Sequence, residues 1–182
     1  MQSIQQEANS VNRKGFHSVT VQMICDPDCL FTNIEAQWPG SAHDSRMFRE
    51  STLNQQCEQG QYNGLLLGDN GYACRPFMMT PYLNPEPGSQ TRFNTSLCKT
   101  SVKIEMAFGI LKARFACLNG LRVSPQRACD IAACVVLHNT ATIRKERVPP
   151  LRQLPDRFNQ PARQANQDGS AVRDTIAVGH FS

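Results

Sequence analysis

The sequence predicts an α/β domain, a mixed sheet flanked by helices, and three observations carry that reading. Early residues alternate apolar and polar as strands do, an apolar run between glycines follows, and later stretches repeat apolar residues at three and four. The 182 residues are 40% hydrophobic and 19% charged, which is room for one domain of ordinary size with a real core. No run approaches the roughly 18 to 20 apolar residues of a membrane helix, so a spanning protein is excluded. The opening residues Met1 to Ser10 are polar and lack the apolar centre of a secretory leader, so nothing suggests secretion. Nineteen Lys and Arg against 15 Asp and Glu give +4, a mildly basic balance compatible with nucleic acid without requiring it.

Asn12-Arg13-Lys14-Gly15 reads as a polar turn. Phe16, Val19, Val21 and Met23 then mark a strand over residues 16–25. Asp26-Pro27-Asp28 turns the chain, and Cys29 to Trp38 is the return strand of a hairpin, stopped by Pro39-Gly40. Ser41-Ala42-His43-Asp44 has the form of a capping box, which predicts a helix from there to about Glu58. Gly64-Leu65-Leu66-Leu67-Gly68-Asp69 reads as a short buried strand that delivers Asp69 at its carboxyl end. Pro81, Pro85, Pro87 and Gly88 mark residues 80–95 as a long exposed loop.

From Ser96 to Leu118 the pattern is helical, with Ile104, Phe108, Leu111, Phe115 and Leu118 on one face. Ser124-Pro125 opens a second helix through Ile131, Val135, Leu137 and His138 toward Arg144. Residues 1–11 read as a polar remnant, 12–148 as the domain, and 149–182, poor in apolar residues, as a disordered tail. A hairpin opening so early leaves one expected neighbour strand unaccounted for.

The eight cysteines are scattered and form no Cys-x-x-Cys pair, so reduced thiols packed as small hydrophobes are expected. Cys129, Cys134 and His138 could be offered as zinc ligands, but Cys129 lies about 140° around the helix from Cys134.

Three carboxylates have informative settings. Asp69 sits at a strand end, where open α/β sheets bind ligands, although Gly-Asp-Asn-Gly is also simply a turn. Asp44 opens a helix, where a carboxylate either caps or holds a metal. Glu105 lies at the border of the apolar stripe, on a line with Gly109, Lys112 and Ala116; a solvated helix glutamate is the other reading. Carboxylates from different elements could hold two divalent cations for phosphodiester hydrolysis, and hard oxygen ligands suit magnesium or manganese. Neither a nucleophile elbow nor a phosphate-binding Gly-Lys-Ser loop is present in the sequence.

Four blocks occur in order: Asn12-Arg13-Lys14-Gly15-Phe16-His17-Ser18, Trp38-Pro39-Gly40-Ser41-Ala42-His43-Asp44-Ser45, Leu67-Gly68-Asp69-Asn70-Gly71-Tyr72, and residues 104–115. With Arg122-Val123-Ser124-Pro125 and Val136-Leu137-His138-Asn139, they resemble the PIF/Harbinger group of DDE transposases over residues 12 to about 148. The resemblance implies an RNase H-like fold and cutting of DNA by two-metal hydrolysis. Asp69 would be the second acid, Glu105 the third, and Asp44 an additional metal-binding aspartate. It further implies a Myb/SANT-like partner that supplies target binding, and residence in the nucleus, with the cytoplasm a second compartment.

Two departures bear on activity. The family's first aspartate belongs to a strand upstream of the Asn-Arg-Lys-Gly turn, where this chain offers only Glu7 as an acid. The family's arginine four residues before the glutamate is here Ser101. The expectation is therefore a nuclease fold without its first strand and with impaired activity; the alternative is an inactive scaffold that binds DNA or protein. Lys99, Lys103, Lys112 and Arg114, with Arg92, Arg122 and Arg127, could track a phosphate backbone, or form a solvated helix face.

Overall fold

The computed structural model describes residues 19–39, 43–119, 128–150 and 167–181. Among them the order is β1 (Val19–Cys25), β2 (Phe31–Pro39), α1 (Asp44–Glu50), α2 (Thr52–Glu58), β3 (Leu66–Leu67), β4 (Met78–Met79), α3 (Ser89–Arg114), a 3-10 turn (Ala116–Asn119), α4 (Ala128–Ile143) and α5 (Gln167–Phe181). The chain is thus α/β, with two small sheets and helices. It divides into two compact units: Met1–His43 with Lys103–Pro155, and Asp44–Val102 with Asp156–Ser182. The span 12–148 expected as one domain is shared between them. Several expectations lie outside the described residues: the turn at 12–15, Glu7, the Ser41 cap, the Ser124-Pro125 helix start, Arg122, Arg127 and residues 151–166 of the tail.

In the first unit β1 and β2 form the expected antiparallel hairpin, with Gln22 opposite Glu35 and Met23 opposite Ile34. Its turn is built by Asp26, whose Oδ1 accepts from the backbone N–H of Asp28 and of Leu30, both at 2.9 Å. Buried Cys29, Phe31, Ala107, Leu111 and Val135 make the core, with Ile104, Phe108, Phe115 and Leu118 packed around it. The apolar stripe read along residues 104–118 is therefore the face that α3 and the following turn present to the hairpin and α4.

Polar groups lock this core from inside. The Asn139 side chain accepts from Phe31 N–H at 2.9 Å and donates to Phe31 C=O at 2.8 Å, standing in for a neighbouring strand at that residue. His138 is fully buried. Its Nε2 lies 3.3 Å from Cys29 C=O, which can only accept, so Nε2 carries the proton. Nδ1 faces Arg114 Nη1 at 3.4 Å and so acts as the acceptor. Burial, with the Arg114 cation adding to it, holds the imidazole below its ordinary pKa; the Cys29 hydrogen bond opposes them.

The folded state therefore binds fewer protons than the unfolded one. Stability from this site is full above the unfolded value of about 6.5 and falls as pH drops below it. Denaturant unfolding at pH 8 and pH 5 is expected to show lower stability at pH 5. Replacing His138→Gln should shrink that difference, and an unchanged difference would contradict the assignment.

In the second unit, the helix expected over 41–58 is two helices. Ser51 breaks it, because its Oγ accepts from Asn54 N–H at 3.1 Å and caps α2 while donating to Phe48 C=O at 2.7 Å. The expected strand at 64–69 is only two residues long and pairs in parallel with β4, with Leu66 opposite Met78 and Leu67 opposite Met79. The loop expected over 80–95 ends at Gly88, since α3 starts at Ser89. Asn94 explains how: it accepts from Tyr82 N–H and donates to Tyr82 C=O, each at 2.9 Å, so the proline-rich stretch is tied down on the helix. Phe93 and Leu97 then extend the buried face of α3 into this unit's core.

The tail requires the largest correction. Residues 167–181, inside the expected disordered stretch 149–182, form α5. Its Ala177 is buried with Cys74, Met79, Phe93 and Leu97, and Val172, Ile176 and Phe181 pack against them. Averaged composition hides this, because the apolar residues of α5 are few, although Val172 and Ile176 lie only about 40° apart around the helix. Arg173 is buried beside them, with its guanidinium carbon 3.9 Å from the Tyr82 ring centre and Nη1 donating to Thr80 and Pro81 C=O at 3.2 Å.

Candidate functional site

Asp44 and Asp69 belong to the second unit and Glu105 to the first. Asp44 opens α1, half-buried, as the first acidic residue of its first turn. Asp69 follows β3 in an exposed turn, where its Oδ1 accepts from Gly71 N–H at 2.8 Å and its C=O from Tyr72 N–H at 3.2 Å. The turn and ligand readings thus coincide: the turn fixes one carboxylate oxygen and so orients the group. Glu105 is half-buried on α3 in the first unit, next to Ile104 and Met106, which pack on that unit's core.

Tyr72 relates the two aspartates, a role that no local sequence pattern announces. Its ring stands edge-on to Phe48 of α1, with centroids 6.0 Å apart at 88°. It also covers Gly68, where an added Cβ would lie 3.1 Å from the Tyr72 ring. Tyr72 therefore packs the start of α1 against the turn after β3. Burial pushes its phenol well above the ordinary pKa, and the charges of Asp44 and then Asp69 add to the effect. The charges of both carboxylates therefore bear on one half-buried phenol.

The donors are hard carboxylate oxygens, the chemistry that magnesium and manganese take. Among the described residues of each unit, no group of three His, Cys, Asp or Glu side chains is gathered to hold a metal. Asp44 and Asp69 could each supply a hard oxygen donor to such an ion. The second unit also carries an open concavity of about 440 Å³, lined by Cys57, Glu58, Arg75, Phe77 and Asp168 among others. Its charge is already spent, since Arg75 Nη1 meets Glu58 Oε1 at 2.6 Å and Asn54 Oδ1 at 3.3 Å. It is not the place where the aspartates meet.

The basic residues divide. Lys99, Lys103 and Lys112 are exposed on α3. Lys99 and Lys103 lie about 40° apart around the helix, whereas Lys112 is about 180° from Lys103, so the three do not form one strip. Arg114 is occupied inside the protein: Nη1 donates to His138 C=O at 3.1 Å and Thr142 Oγ1 at 2.9 Å, and Nη2 reaches Glu146 C=O at 3.5 Å. That guanidinium caps α4 in place of the phosphate contact expected of it. The motif residues Arg114, His138 and Asn139 are thus accounted for by the folding of the first unit. Among the described residues no helix is long and apolar enough to cross a membrane.

The chain is α/β, with aspartates at a helix start and after a strand end in one unit and a glutamate on a long helix in the other. The chain belongs to the DDE superfamily endonuclease family, whose model matches residues 2–139, and the family implies an RNase H-like fold. It is 32% identical over 189 aligned residues to the Homo sapiens protein named "Putative nuclease HARBI1", covering 97% of this chain and 54% of that one. The Xenopus laevis protein of the same name is 33% identical over 142 residues, covering 75% of this chain and 41% of the relative. "Protein ALP1-like" of Arabidopsis thaliana is 28% identical over 183 residues, 88% of this chain and 45% of the relative. The chain spans about half the length of these curated relatives. No solved structure matches it.

Proposed function

We propose that the chain is the nuclease part of a transposase-derived protein that hydrolyses DNA phosphodiester bonds with two divalent cations, magnesium or manganese. The observation that supports this most is that the charges of Asp44 and Asp69 bear on the same half-buried Tyr72, whose ring packs on Phe48 of α1. In this reading Asp44, Asp69 and Glu105 are the metal-binding acids, Asp69 and Glu105 being also the catalytic pair. The cations would supply activated water and stabilise charge on the leaving oxygen. The protein's own part is geometric: Gly71 orients the Asp69 carboxylate, and Tyr72 holds the spacing from Asp44. Exposed Lys99, Lys103 and Lys112 would add weak, salt-dependent attraction to DNA. Target recognition by a Myb/SANT-like partner, and action in the nucleus with a cytoplasmic pool, belong to the same proposal.

Residues 1–11 contain Glu7 as their only acid, so these 182 residues lack an evident first aspartate. We therefore expect weak cation binding and poor cutting from this chain alone. A misplacement of about 1 Å in the reacting groups already costs on the order of a hundredfold in rate. A scaffold that binds DNA or protein without cutting is the second reading, favoured by Ser101 at the position where the family carries an arginine. The test is manganese-dependent nicking of plasmid DNA by this chain and by one extended upstream with an Asp-Gly-Thr-like strand. Stronger nicking by the longer chain, lost on Glu105→Gln, supports the nuclease. If neither chain nicks, the scaffold reading stands; robust nicking by the short chain would overturn the expected impairment.

A further inference from the structure

Helix α4 lies wholly in the first unit and is apolar on two opposite sides. Ile131, Val135 and His138 form its buried side. On the other side Val136, Leu137 and Ile143 are 64%, 57% and 68% exposed, with Ala133 and Thr140 open beside them. From Ile131 to Ile143 the helix contains no Asp, Glu, Lys or Arg. A helix that is hydrophobic all round is ordinarily covered, whereas a side that faces water carries charge. Cys129 opens onto the same face; with Cys98 and Cys117 it is exposed, not packed away as the sequence suggested.

Charge enters this face at its two ends. Asp130 stands in the first turn of α4 and Arg144 directly after the last, both exposed. At about 100° per residue, Leu137 lies about 20° and Arg144 about 40° around from Asp130, so the three make one row. Cys129, Val136 and Ile143 make a second row at the same spacing, with the small Ala133 and Thr140 between the rows. A seven-residue repeat is the spacing of paired helices, and small central side chains let two helices come close. The face also reads the same in reverse. Turned end for end about the point between Val136 and Leu137, Cys129 falls on Arg144, Asp130 on Ile143 and Ala133 on Thr140. Each exposed position thus lands on another exposed position.

We propose that this face of α4 is a docking surface for a second copy of the chain, paired antiparallel across a two-fold axis. A two-fold interface uses one patch twice, so the patch must suit its own reversal, and this one does. Leu137 meets Leu137 and Val136 meets Val136 at the centre, while Asp130 of each copy lies against Arg144 of the other. A parallel pair would instead set Asp130 on Asp130 and Arg144 on Arg144, so the end charges select the antiparallel arrangement. The Cys129 thiol donates to Asp130 Oδ1 over 3.9 Å. A carboxylate has about four lone-pair sites, so that contact does not preclude a guanidinium. One helix pair covers less than the roughly 1,200 Å² at which standard interfaces begin, so the dimer is weak and depends on concentration.

The test is sedimentation equilibrium of the full chain over a concentration series, which is expected to show monomer and dimer exchanging. Leu137→Glu sets two carboxylates against each other at the two-fold axis and should raise the dimer Kd about tenfold or more, with the monomer's Tm kept. Leu83→Glu, at an equally exposed leucine of the second unit, should leave the Kd unchanged. Asp130→Lys and Arg144→Glu should each weaken the dimer alone. A mixture of these two variants should recover it, because each reversed charge then faces its opposite. A chain that stays monomeric up to about 1 mM overturns the proposal. So does a dimer that Leu137→Glu leaves intact, or a mixture that associates no better than either charge variant alone.

Discussion

Gly169→Ala is expected to release α5 from the second unit. An added Cβ there would lie 2.5 Å from Arg75 Cα, Arg75 N and Cys74 O, all backbone atoms that cannot swing aside. Helix and loop must separate, which breaks the Cys74 Sγ to Gly169 C=O contact at 3.3 Å and loosens the buried Ala177 and Arg173. Overpacking of this kind costs about 1–3 kcal/mol and outweighs the roughly 1 kcal/mol that alanine gains over glycine in a helix. Gly179→Ala on the same helix is the control, because nothing lies within 4 Å of its added Cβ. Thermal melting and limited proteolysis should show Gly169→Ala less stable and cut near α5, and Gly179→Ala unchanged or slightly more stable. Equal behaviour of the two would mean that α5 does not pack as described.

A larger loss is expected from His138→Ala in the first unit. The imidazole is fully buried between Cys29 C=O and Arg114, with its ring 5.2 Å from that of Phe31. Truncation leaves a cavity and a carbonyl without its donor, together worth about 2–5 kcal/mol. For a chain of this size that lowers Tm by roughly 5–15 °C. Val136→Ala, two residues away on the exposed side of α4, should change stability by no more than about 0.5 kcal/mol. If the two variants melt alike, His138 is not the keystone of this core.

The parts of the fold legible in the sequence were those written as local pattern. The strand pattern at Val19, Val21 and Met23, the Asp26 turn and the Ile104 to Leu118 stripe each involve neighbours in the chain, and a strand, a turn and a packed helix face are found there. What escaped involves residues distant in sequence. Asn94 on Tyr82 and Asn139 on Phe31 replace strand neighbours with a side-chain amide, and no periodicity announces that. Helix α5 was hidden by the polar residues around it, and its fit to Cys74 and Arg75 rests on Gly169, whose missing Cβ matters only to residues distant in sequence.

The candidate site was legible in a different way. Asp44, Asp69 and Glu105 stood out through the wording of their blocks, whereas physics left each with an ordinary alternative. Arg114 shows the converse error: a cation near a helix end reads as a surface charge, yet it is spent on the carbonyls of α4. Tyr72 stands in one of those blocks, but its packing role is not local, because it depends on Phe48 and Gly68 lying against the same ring.

The metal reading is tested most directly by titrating the chain with manganese, following the loss of the free-ion signal by electron paramagnetic resonance. Asp44→Asn and Asp69→Asn are each expected to raise the manganese Kd by about tenfold or more, the least that disturbing a metal shell usually costs. Asp168→Asn, in the neighbouring concavity of the same unit, should leave it unchanged. Unchanged binding in both Asp44→Asn and Asp69→Asn, with Tm preserved, would show that these aspartates hold no cation and would contradict the proposed nuclease site.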